Sequence, residues 1–117
     1  MDDSLERSIN ALLDSLDELE SPASELGTPV LAASKELDGV IALGPAAVPR
    51  LRALLEDQPA KKAAYLAVAL ARIGDRSALP DLRRLRRRYQ ALGSKSGWDF
   101  AVIGQSNLAI DALEHQS

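Results

Sequence analysis

The sequence predicts an all-α fold, a short right-handed α-solenoid of three helical pairs, and three observations carry that prediction. Apolar residues recur at three- and four-residue steps over most of the chain, and no segment sustains the alternation of a half-buried strand. Two stretches repeat each other at a spacing of 30 to 31 residues. Only four residues are aromatic (Tyr65, Tyr89, Trp98 and Phe100), so the core must be built from Leu, Ala, Ile and Val, which suits closely packed helices.

The repeat sets the register. The stretch Ile41 to Leu54 matches Arg72 to Leu85: an apolar end, a glycine, then a proline-led Leu-x-x-Leu segment. Gly44 and Gly74 are 30 residues apart, while Pro49 and Pro80, Leu51 and Leu82, and Leu54 and Leu85 are each 31 apart. Both glycines follow apolar-periodic segments, where a left-handed residue closes a helix and glycine adopts it at least cost. Pro45 sits where a first helical turn begins, and Asp75 is a good N-cap. Pro49 and Pro80 fall in or just after that turn, where a missing N–H costs little. One bend repeated in one register keeps stacked units at a constant angle.

Extending the register gives six helices. The first runs from about Ser4 to Glu20, with Leu5, Ile9, Leu12, Leu13, Leu16 and Leu19 on one stripe, Asp3 and Glu6 as a capping-box-like start, and Ser21-Pro22 as its stop. Thr28-Pro29 opens the second, which ends at Gly44. The third covers about Pro45 to Asp57 and the fourth about Pro59 to Ile73, with Ala63, Leu66, Ala67, Leu70 and Ile73 facing in. The fifth covers about Arg76 to Leu92 and buries Leu79, Leu82, Leu85, Tyr89 and Leu92. Gly93-Ser-Lys-Ser-Gly97 is a flexible break before the sixth, about Trp98 to Glu114. The chain of 117 residues reads as one domain, with repeats at about 3–44, 45–74 and 75–115.

The run Leu43-Gly-Pro-Ala-Ala-Val-Pro-Arg-Leu-Arg-Ala-Leu-Leu-Glu-Asp57, and again Leu70-Ala-Arg-Ile-Gly-Asp-Arg-Ser-Ala-Leu-Pro-Asp-Leu82, resembles the short HEAT-like repeat of bacterial proteins, including the phycobilisome-lyase type. The resemblance is best over 40–90, and in the first pair it rests on Val40 to Gly44. It implies a scaffold that serves many roles, among them an accessory subunit of a bilin-lyase-like enzyme.

Composition excludes several classes. Apolar residues are 46% and charged residues 26% of the chain, ordinary values for a globular protein. There is no cysteine and one histidine, so disulfides, thiolate metal sites and a cysteine nucleophile are ruled out. The opening Met1-Asp2-Asp3-Ser4 is acidic, with no apolar leader segment, and the expected localisation is cytoplasmic. The longest apolar run, Ala63 to Ala71, is half the roughly 20 residues that cross a bilayer, so no membrane partner is expected.

Charge is lopsided. Residues 1–40 carry ten acids and two bases, and residues 41–117 carry seven acids and twelve bases. Either the helix faces differ in sign, or one end steers an acidic partner or a second copy of the chain.

Little in the sequence points to chemistry. His115 lies in the C-terminal tail and reads as solvated rather than as a base or ligand. Asp14, Asp17 and Glu18 lack the glycine-turn spacing of a calcium loop and read as an exposed acidic face. Residues 93–97 lack both the GxxxxGK[ST] spacing and the preceding strand of a phosphate loop. The expectation is a non-enzyme with no catalytic residue, metal or cofactor.

Three features suggest binding. In Arg83-Arg-Leu-Arg-Arg-Arg88, helical projection points Arg83, Arg84 and Arg87 away from the Leu79–Leu82–Leu85–Tyr89 face, with Arg86 and Arg88 flanking it. This is either a solvated outer helix that complements its own dipole or an anion-binding row for phosphate or an acidic protein. The net charge of −3 argues against a dedicated nucleic-acid binder. Tyr65 with Lys61, Lys62 and Arg72 forms a candidate contact patch on the fourth helix. On the sixth helix, Trp98, Ala101, Val102, Leu108, Ala109 and Ala112 make a core stripe, and Phe100, Ile103 and Ile110 make a second one. A terminal repeat apolar on two sides calls for a cover: a homodimer mate, a protein partner or the folded-back loop 93–97. The expected function is an interaction scaffold or adaptor binding a protein through its concave face or this last helix, with an immunity factor as one subtype. Anion binding through the arginines is the alternative.

Overall fold

The computed structural model describes residues 3–18 and 34–115 of the chain, and among them are six helices and no strand. These are α1 (Asp3–Glu18), α2 (Lys35–Ala42), α3 (Val48–Leu54), α4 (Ala60–Ile73), α5 (Leu79–Gln90) and α6 (Gly97–Glu114). The expected Ser21-Pro22 stop and Thr28-Pro29 start lie outside the described residues.

Gly44 (φ 69°) and Gly74 (φ 82°) are the only described residues with positive φ. Both are positions where the sequence calls for a left-handed residue. A short 3₁₀ segment, starting at Gly44 itself (Gly44–Ala47) or two residues past Gly74 (Arg76–Ala78), leads into a helix whose second residue is proline. The residues at the junction match closely: Ala47 has φ −82°, ψ −17° and Ala78 has φ −78°, ψ −12°. The spacing changes from 30 to 31 at Asp75, an extended residue (φ −97°, ψ 113°) with no counterpart after Gly44. Its carboxylate Oδ1 accepts the Ser77 N–H at 2.9 Å, which makes it the N-cap its sequence position suggests.

Some boundaries differ from the reading of the sequence. Asp3 is the first described residue of α1, and the Glu6 carboxylate reaches across to Arg50. α2 opens at Lys35 because Ser34 is extended (φ −145°, ψ 129°) and its Oγ accepts the Leu37 N–H at 3.1 Å. That serine cap ends any continuous helix from Thr28. α3 and α5 begin later than the apolar pattern suggests, because their first turns are 3₁₀.

One apolar core draws on all six helices. Ile9, Leu12 and Leu16 of α1 are fully buried, as are Val40 of α2 and Leu51 of α3. α4 is the centre: it packs most closely against α6 and α2, and also touches α1 and α3. Every residue from Ala63 to Ala67 is buried, with Ala69 and Leu70 beyond. A helix buried on nearly every side must be apolar on nearly every side, and its alanines let the neighbours come close. α5 packs on α6, and α1 on α2.

Candidate interaction surface

The arginine run of α5 is tied to neighbours on both sides. Towards α3, Arg84 Nη1 lies 2.6 Å from Glu56 Oε1 and 3.5 Å from Asp81 Oδ1. Arg88 donates to two backbone carbonyls just after α3, Nη1 to Glu56 O at 3.0 Å and Nη2 to Leu55 O at 3.3 Å. Leu55 and Glu56 directly follow the last residue of α3, so Arg88 ties the turn after α3 to α5. Towards α6, Arg83 Nη2 meets Glu114 Oε1 at 2.9 Å, and Arg86 Nη1 donates to Asn107 Oδ1 at 3.0 Å. The hydrogen bond from Arg83 holds the Glu114 carboxyl below its ordinary pKa. Of the predicted anion-binding set, Arg83 and Arg84 are therefore engaged within the chain, and Arg87 is exposed. The row divides into two straps along the flanks of α5, leaving Arg87 on the ridge between them.

Two positions 31 residues apart, Arg50 and Asp81, each reach back to an earlier helix with inverted charge. Arg50 of α3 bonds back to Glu6 of α1 at 3.2 Å, and Asp81, its counterpart in α5, bonds back to Arg52 of α3 at 2.6 Å. Odd-numbered helices are thus laced by ion pairs, and even-numbered ones pack through apolar side chains.

Between the end of α3 and the middle of α5 lies a groove of about 310 Å³, with Glu56, Asp57, Asp81, Arg84 and Arg88 around the buried Leu55 and Leu85. The ion pairs above span this groove, so its charges are largely matched internally.

The Tyr65 patch is not a surface. Tyr65 is fully buried, its ring 6.4 Å from that of Trp98. Lys61 Nζ stands 5.7 Å from the centroid of the same indole, while Arg72 is exposed further along α4. Tyr65 and Lys61 thus join α4 to the start of α6, while Arg72 keeps an exposed position. The nine-residue apolar run Ala63 to Ala71 contained the signal, since it marks a helix with no solvent side around Tyr65.

The loop before α6 is ordered by its own polar groups. Ser96 and Asp99 form a reciprocal capping box, with Asp99 N–H donating to Ser96 Oγ at 3.3 Å and Ser96 N–H to Asp99 Oδ2 at 2.8 Å. Lys95 Nζ donates to Leu92 O at 2.8 Å.

α6 carries the surface that matters, in a register different from the one expected. Ile110 is buried and Ile103 half-buried against the core. Phe100 is 52% exposed, and beside it is Leu108, from the other apolar stripe, at 65%. Leu92 before the loop is exposed too. The core stripe proper includes Val102, Ser106, Ala109 and Leu113. Ser106 hides it: a serine stands where an apolar residue is looked for, and its buried Oγ has no hydrogen-bond partner. Reading Ser106 as a small core residue brings the stripe into register and turns Leu108 outward.

At the end of α6, His115 Nδ1 lies 2.9 Å from the Asp111 carbonyl oxygen and 3.2 Å from its carboxylate. The carbonyl contact first, and the carboxylate charge second, raise the imidazole pKa above 6.5. Among the described residues no three His, Cys, Asp or Glu side chains converge on a possible metal position, although the side chains of Asp17 and Glu18 lie outside that set. No described helix is long and apolar enough to cross a membrane. The chain matches no protein-family model, no curated protein and no solved structure.

Proposed function

We propose that the chain is a small non-enzymatic interaction scaffold, a right-handed α-solenoid of three HEAT-like helical pairs, which binds a protein partner through the outer face of α6. The paired glycine corners, the matched entries into α3 and α5, and the charge-inverted lacing of the odd helices support the repeat reading. The observation that carries the function is the exposure of Phe100 and Leu108 on the last helix of the stack, where a solenoid end otherwise presents polar residues. Anion binding through Arg83, Arg84 and Arg87 is the weaker reading, because two of the three guanidiniums are already paired. A photo-crosslinking residue at position 100 or 108, introduced in the native host, is expected to join the chain to a specific polypeptide. The same residue at position 87 is not. Capture at 87 alone, or binding of short duplex DNA at low salt, overturns this reading in favour of the arginine ridge.

A further inference from the structure

We infer that the partner of the α6 face is a second copy of this chain, the two α6 helices running antiparallel about a two-fold axis at Gly104. The inference rests on the scaffold reading above and names its occupant. Phe100 and Leu108 stand eight positions apart with Gly104 midway, and all three are exposed. A Cβ built on Gly104 meets nothing within 4 Å, and its φ is not positive. Nothing inside the chain calls for glycine there, in the middle of a helix that glycine weakens. Its missing side chain lowers the ridge between Phe100 and Leu108, so that a second helix can approach.

The face is complementary to itself when reversed. Turning one helix about Gly104 sets Phe100 of each copy against Leu108 of the other. Asp111 is exposed and points within about 20° of Phe100. Reversal brings its carboxylate towards Lys95 of the other copy, with the capping carboxylate of Asp99 about 120° away around the helix, whereas a parallel pair would oppose Asp111 to Asp111. A two-fold contact needs one self-complementary patch, and this face supplies it. One helix face covers less than the roughly 800 Å² per partner of a standard interface, so the dimer is weak and concentration-dependent.

Sedimentation equilibrium of the full chain from about 5 to about 500 µM tests it. The mass is expected to rise from 12.5 kDa towards twice that value. Phe100→Asp and Leu108→Asp are each expected to raise the dissociation constant at least about tenfold, since a two-fold axis repeats every loss. Circular dichroism should stay unchanged, because both positions are exposed. The chain has no cysteine, so orientation is read directly: Phe100→Cys should form a disulfide with Leu108→Cys in a mixture, and neither with itself. A mass fixed at 12.5 kDa, a dimer indifferent to both Asp substitutions, a mass climbing past two copies, or self-linked Phe100→Cys each overturns the inference. If the chain stays single while position 100 still crosslinks to another polypeptide, self-pairing fails and the scaffold reading stands. If position 100 captures nothing either, both fall.

Discussion

Arg52 Nε donates to Asp81 Oδ2 at 2.6 Å, joining α3 to α5 through a carboxylate that is only 13% exposed. Asp81 also lies in the first turn of α5, where a negative charge complements the helix dipole, and it reaches Arg84 at 3.5 Å. Replacing it with Ala leaves two arginines without their shared partner. Asp81→Ala is expected to destabilise the chain by about 1 to 2 kcal/mol, read as a lower urea midpoint at unchanged slope. Arg50→Ala breaks the equivalent but more exposed bond to Glu6, and should cost less than about 0.5 kcal/mol. Equal losses at the two positions would refute the difference in burial as the cause.

Gly44 tests the corner itself. A Cβ there meets nothing, so any loss comes from the left-handed backbone alone. Gly44→Ala is expected to cost about 1 kcal/mol, and Gly44→Asn less, since Asn tolerates this conformation better. Thermal melts of the three chains, compared side by side, give the order; an alanine variant as stable as the parent would contradict it.

Ser106 is expected to be better as alanine. Its hydroxyl is buried without a partner, and Ala removes that group while leaving the helix close to its neighbours. Ser106→Ala should stabilise by about 1 kcal/mol, raising the melting temperature by a few degrees. A lower melting temperature would mean that the hydroxyl finds a partner in solution.

His115 is the only histidine, so its proton NMR titration is free of overlap. Its pKa is raised, so its small contribution is present below 6.5 and is lost as pH rises through the folded value. Glu114 has the opposite sign. Its lowered pKa gives a contribution present above 4.5 that fades as pH falls through the folded value. Asp111→Asn should lower the His115 midpoint only in part, because the carbonyl contact, the larger cause, remains. Complete return to 6.5 would assign the whole effect to the carboxylate.

The backbone turns were legible in the sequence, and the outward-facing side chains were less so. Gly44, Gly74, Pro49 and Pro80 declare their places because left-handed φ and a missing N–H are restrictions few other residues satisfy. Tyr65 and Leu108 were misplaced because helical projection gives angles and not the number of neighbours. α4 has several, so a tyrosine beside lysines is covered; α6 packs mainly on α4 and α5, and its polar Ser106 disguised which side they take. The arginines of α5 looked like one surface because their partners, Glu56, Asn107 and Glu114, lie 21 to 32 positions away.

The guanidinium of Arg88 has a consequence for how the chain comes off the ribosome. It holds two carbonyls of the turn after α3, in a segment synthesised more than thirty residues earlier. Until α5 has emerged, the Leu55 and Glu56 carbonyls lack this partner. The turn after α3 is thus completed from downstream, and a chain halted within α4 is expected to hold that turn less firmly than the full-length molecule.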